Sequence, residues 1–187
     1  MWWWAAATWA GSPVVALGDA GPAGGWVPVL ADCLEERSPG NFSVVDRAAV
    51  GETVGSVGKR AAGVRELGPA AIVLSLRVEE ATPPAAFRKD LSRVLRDLRG
   101  PDTRIVLVGI APPTAASEVL AAEWNAQLAA LARSEPDVQH ADLLADWPKD
   151  EPGRAALSSA TWTLSDQGHA RVAAAVCDVL LREKAPR

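Results

Sequence analysis

Five short apolar runs, each followed by a longer amphipathic stretch, constrain this chain more than any other feature. The runs over 13–19 (PVVALGD), 42–48 (FSVVDRA), 70–76 (AAIVLSL), 104–110 (RIVLVGI) and 138–144 (VQHADLL) are rich in Val, Ile and Leu. Most are near-continuously apolar, the pattern of strands buried on both faces of a parallel sheet. The intervening stretches, over 26–37, 53–67, 84–99, 115–134 and 166–183, carry the helical period. Pro83-Pro84 suits a helix start and Gly100-Pro101 a stop.

Five strand–helix units in 187 residues, with no repeat and no long linker, predict one α/β domain. Right-handed crossovers place helices on both faces. The expected fold is a three-layer α/β/α sandwich around a five-stranded parallel sheet, flavodoxin-like in class. Residues 13–187 form that domain, and residues 1–12 a tryptophan-rich arm. Ligand sites in such sheets lie beyond the C-terminal strand ends, which points to the loops at 19–25, 49–54, 77–84, 110–115 and 144–165. The last is the longest irregular segment, and Ser165 before Asp166 reads as the N-cap of the final helix.

The composition removes several function classes. A formal charge of -4 without a concentrated Lys/Arg run argues against nucleic acid and anionic membranes as partners. Cys33 and Cys177 fall in separate amphipathic stretches and read as two reduced, mostly buried thiols, although a disulfide between them is also compatible with the sequence. With two cysteines, two histidines and no Cys-x-x-Cys spacing, no metal site and no cofactor are expected. The start, MWWWAAATWAGSP, lacks a basic secretion-signal head and is too short to span a bilayer, so the cytoplasm is the expected location. Indoles at Trp2, Trp3, Trp4 and Trp9 are costly in water and should bury against the protein's own surface, a pocket or a second subunit, the last making a homodimer.

The first strand runs into VVALGDAGPAGGW, a Gly-Asp-Ala turn followed by glycines. The second ends in VVDRAAVGETV, the third in VLSLRVEEA, and the last helix is preceded by SSATWTLSDQGH. In this order the blocks resemble the SGNH (GDSL-type) hydrolases, a family of small three-layer α/β esterases, lipases and carbohydrate deacetylases. The resemblance implies that Ala20 stands where the family has its nucleophilic serine, and that Gly51 supplies the family's oxyanion-holding amide. Glu79 then stands at the oxyanion asparagine, with Glu80 beside it. Ala160 and Thr163 occupy the positions of the orienting aspartate and the base histidine. A carboxylate at position 79 would oppose a developing oxyanion, and a serine–histidine unit loses most of its rate when its members are removed.

These replacements imply a pseudoenzyme in which ester hydrolysis is gone and a small molecule or a protein partner is bound in the residual pocket. One alternative is a triad-free isomerase, cyclase or dehydratase, of the kind used in bacterial natural-product biosynthesis, with Asp19 or Glu79 as acid or base. Another is an esterase whose serine was engineered to Ala20. Asp19 also has a structural role available, tying its own loop by hydrogen bonds. Trp26, Trp147 and Trp162 either rim the pocket or pack loops onto helices. Trp124, His140 and His169 read as core or packing residues.

Overall fold

The computed structural model describes residues 11–21, 24–77, 82–159 and 162–182. The tryptophan arm up to Ala10, together with Glu79, Glu80 and Ala160, lies outside the described residues, so the expectations placed on them have no counterpart below.

The sheet contains β1 (Ser12–Gly18), β2 (Phe42–Ala48), β3 (Ala71–Ser75), β4 (Arg104–Val108) and β5 (Val138–Ala141), all parallel, in the order β2-β1-β3-β4-β5. This is the expected three-layer fold. Alternation along the strands divides the core into two. Val14, Ala16, Ala71, Val73, Val106 and Val108 face α1 (Trp26–Arg37) and α6 (Asp166–Leu181). Val15, Leu17, Ile72, Leu74, Ile105 and Leu107 face α2 (Val54–Arg65), α3 (Pro84–Leu98) and α4 (Glu118–Ser134). β1, β3 and β4 are therefore buried on both sides, which is why their sequences are unbroken apolar runs. β2, at the edge, is only partly buried.

Three differences from the sequence-based expectation have local causes. β4 stops at Val108 because the Ile110 amide leaves the ladder and donates to Asn125 Oδ1 (2.9 Å), while Asn125 Nδ2 donates back to the Ile110 carbonyl (2.7 Å). β5 stops at Ala141, and Asp142 Oδ1 turns the chain by accepting from the Leu144 amide at 2.8 Å. The loop expected over 144–165 contains a helix, α5 (Glu151–Leu157), capped by the Asp150 carboxylate on the Gly153 amide at 2.7 Å. Pro152 and Gly153 disguise it as loop, but proline is at home in a first helical turn. Arg154 of α5 is 1% exposed and ties the segment down through Glu118 Oε2 (2.7 Å) and the Pro148 carbonyl (3.0 Å).

The two cysteines are not free thiols: Cys33 of α1 and Cys177 of α6 form a disulfide. α1 and α6 lie side by side on one sheet face, which brings the two Cα atoms to 6.5 Å, within bonding range. A separation of 144 residues concealed that proximity. Among the described residues no helix is long and apolar enough to cross a membrane.

Candidate functional site

The strand order reverses between β1 and β3, the crevice where open α/β sheets place their ligands. A cleft of about 100 Å³ opens there. Its floor is Asp19, Ala20 and Gly21 after β1, with Ser75, Leu76 and Arg77 at the end of β3. Gly109 to Ala111 close it after β4, and Trp26, Leu143, Trp162, Leu164, His169 and Val172 form the walls.

The turn after β1 is held by its own carboxylate. Asp19 Oδ1 accepts the amides of Gly21 (3.0 Å) and Gly51 (3.1 Å), and the Asp19 amide donates to the Ser75 carbonyl at 2.7 Å. The Asp19 carbonyl in turn accepts from the indole of Trp26 at 3.3 Å. Asp19 thus pins the loops after β1 and β2 to each other, and the Gly51 amide points at this carboxylate. A second acid does comparable work beneath it. Glu52, 6% exposed, accepts from the Gly18 amide (3.1 Å) and pairs with Arg60 (2.6 Å), and its carbonyl accepts from the Arg77 amide at 2.9 Å. Arg60 also donates to the Arg47 carbonyl. Glu52 went unremarked in the sequence because a lone Glu after a glycine looks like ordinary loop. Its signal was position, at a C-terminal strand end beside two positive-φ glycines, Gly18 and Gly51.

His169 sits one turn into α6, whose N-terminus is capped by Ser165 Oγ accepting from Gly168. Its ring packs against the turn after β1. A methyl group built at Gly21 would lie 2.9 Å from His169 Cε1, and one at Gly25 only 2.6 Å away. The imidazole occupies space that side chains at 21 and 25 would fill. His169 is 8% exposed, its Nδ1 is buried without a hydrogen-bond partner, and burial lowers its pKa from 6.5 against the opposing pull of Asp166 and Asp19. Burial therefore favours the neutral form of the ring. His140, in β5, is likewise lowered by burial and does not line the cleft.

Of the expected site residues, Asp19, Ala20 and Trp162 line the cleft. Gly51 and Thr163 do not; Thr163 is exposed and its carbonyl accepts from the Ser159 amide at 2.8 Å. Trp162 has the left-handed backbone rare for a bulky residue (φ 62°), and its ring meets Trp124 edge-on at 6.2 Å. Trp26 serves as core and cleft wall together. Trp147 packs loop on loop, donating to the Pro112 carbonyl at 3.0 Å, and Trp124 is core. The sequence placed Arg77 in a site loop, but Ser75, the last residue of β3, was missed as a cleft residue. Strand alternation puts Ser75 on the same face as Ala71 and Val73, toward α1 and α6.

Solved structures share this fold. TesA superposes with a TM-score of 0.72 over 91% of this chain and 98% of its own, at 18% identity. A serine-to-alanine catalytic mutant of Axe2, an acetylxylan esterase from Geobacillus stearothermophilus, gives 0.73 over 95% and 98%, at 16% identity. A GDSL-like lipase from Bacteroides thetaiotaomicron gives 0.69 over 90% and 87%, at 14%. The fold is that of the SGNH-type esterases. No sequence-family description matches the chain, and no curated protein does.

Proposed function

We propose that this protein uses an SGNH-type scaffold to bind a small molecule in the cleft at the β1–β3 crevice and does not hydrolyse esters. The observation that carries the reading is the floor of that cleft. The methyl group of Ala20 lies there, 3% exposed, between an Asp19 carboxylate that already accepts two loop amides and a histidine ring packed against the glycine turn. A methyl group neither attacks a carbonyl nor passes a proton. Apolar walls with a few polar groups are the usual make-up of a ligand pocket. The acid–base alternative names Asp19 or Glu79; Glu79 lies outside the described residues, and the two amides on Oδ1 of Asp19 favour a structural role for that carboxylate. The disulfide favours work in an oxidising compartment over the cytoplasm, since such bonds are rare where thiols are kept reduced.

The test is hydrolysis of p-nitrophenyl acetate and p-nitrophenyl butyrate by the purified protein and by Ala20→Ser. The expected result is no rate above buffer for the native chain and no gain above tenfold for the variant. A native turnover that saturates with substrate refutes the proposal.

A further inference from the structure

The two sulfurs of the Cys33–Cys177 bond sit in unequal surroundings. Cys33 keeps part of its surface in solvent, whereas Cys177 is 0% exposed. A cation stands beside the buried one. Arg37 Nη1 lies 3.9 Å from Cys177 Sγ, and the Asp178 carboxylate holds that guanidinium in place at 2.5 Å. Thiol–disulfide exchange needs one sulfur that an incoming thiolate can reach and a second that leaves readily with the electron pair. A neighbouring guanidinium eases the departure by lowering the pKa of the leaving thiol. Here the two requirements fall to different cysteines. The bond also has a strategic place: Cys33 follows Trp26 by seven residues on α1, and Cys177 follows His169 by eight on α6, about two helical turns in each case. Trp26 and His169 are cleft walls, and the disulfide fixes the spacing of the helices that carry them.

We propose that Cys33 is a site of reversible S-thiolation by a low-molecular-weight aliphatic thiol, with Cys177 as the resolving cysteine. The incoming thiol loses its proton to solvent, and its thiolate attacks Cys33 Sγ. A new S–S bond forms there, the Cys33–Cys177 bond breaks, and its electron pair leaves on Cys177 Sγ as a thiolate beside Arg37. One disulfide is consumed and one is made, so no outside oxidant or reductant is required. The reverse attack by Cys177 on the mixed disulfide expels the small thiol and restores the crosslink. While Cys33 is thiolated, α1 and α6 are joined only by packing and the Arg37–Asp178 ion pair, and the cleft walls loosen.

The experiment incubates the folded, oxidised protein with excess reduced glutathione, quenches with acid, alkylates free thiols and locates both groups by peptide mass spectrometry. Glutathione should appear on Cys33 and the alkyl group on Cys177. Arg37→Gln should slow the thiolation roughly 3- to 10-fold, because the leaving thiolate loses its cation. If Arg37 served only to hold the helices together, its loss would expose the bond and speed the reaction, so the direction of the change separates the two roles. Asp178→Asn breaks the same ion pair but keeps the guanidinium, and should not slow thiolation. Both side chains are half-exposed, so both variants should fold, and an unchanged far-UV spectrum verifies it. Hydrogen exchange of the thiolated protein should rise in α1 and α6 and stay unchanged in α3, on the other face of the sheet. Glutathione on Cys177, or a bond that reacts only after unfolding in urea, overturns the proposal. Equal or faster thiolation of Arg37→Gln overturns the role given to Arg37, and unchanged exchange in α1 and α6 overturns the link to the cleft. None of these outcomes depends on whether the cleft binds a ligand or hydrolyses an ester.

Discussion

Opening the Cys33–Cys177 bond removes the one covalent link between α1 and α6, the helices that carry Trp26 and His169 into the cleft. The bond closes a loop of 144 residues. In the chain-entropy treatment a loop of that size restricts the unfolded state by about 17 cal/mol/K, or about 5 kcal/mol at 25 °C. Native disulfides in small domains contribute about 2–5 kcal/mol when measured. For a domain of this length each kcal/mol moves the thermal midpoint by about 2–4 °C. Reduction should therefore lower Tm by about 5–20 °C. The cleanest comparison uses one protein, oxidised and then reduced with a phosphine, because no side-chain volume changes. The double variant Cys33→Ala/Cys177→Ala should match the reduced protein within a few degrees and be insensitive to reductant. Differential scanning calorimetry reads both midpoints, and mass spectrometry after alkylation under denaturing, non-reducing conditions counts free thiols. Two alkylated cysteines in protein purified without reductant would refute the pairing. A midpoint that moves by less than 2 °C on complete reduction would refute the reasoning from loop entropy.

Two further outcomes are expected. Gly25→Ala should abolish soluble folded protein or cost more than about 4 kcal/mol, because its methyl would sit 1.7 Å from the Ala20 carbonyl oxygen and 2.6 Å from His169 Cε1 at φ +45°; Gly51→Ala, with φ +75° and nothing within 4 Å, should cost only about 1–2 kcal/mol, and urea unfolding separates the two. Burial lowers the pKa of both His140 and His169 from 6.5, so the unfolded chain binds protons more readily than the folded one just below that value; stability should be fully present above pH 6.5 and fall as the pH drops through the window beneath it, and a Tm that stays level or rises from pH 7.5 to 5.5, or a fall undiminished in His140→Gln, would contradict this.

The layered fold was legible in the sequence because its signal is distributed. Every strand of a doubly covered sheet needs apolar residues on both faces, and every helix needs a stripe, so five units repeat the same statement. β2 and α1 fall at the predicted residues, and where boundaries moved, a side chain had diverted a backbone amide, as Asn125 does at Ile110. The cleft was legible only in part. Asp19, Ala20 and Trp162 followed from a local motif and its resemblance. Arg77 followed from its place at the end of a strand, whereas Ser75 and the exposed placement of Thr163 depend on how distant segments meet, which no local pattern records. The disulfide belongs to the same class, since its partners are neighbours only through the packing of α1 on α6. His169 packs against two glycines, Gly21 and Gly25, more than 140 positions away in sequence, and it lines the cleft as well.

The bonds that shape the cleft come from the residues around position 20. Asp19 joins the loops after β1 and β2, Glu52 joins β1 to α2 and to the chain leaving β3, Asn125 fixes the loop after β4, and His169 fills the gap left by two glycines. None of these contacts uses the side chain at position 20. Its methyl group is buried at the edge of the core that faces α1 and α6 and also lines the cleft. Arg77, the cation whose backbone amide is anchored by buried Glu52, is positioned by the scaffold whether or not any reaction takes place beneath it.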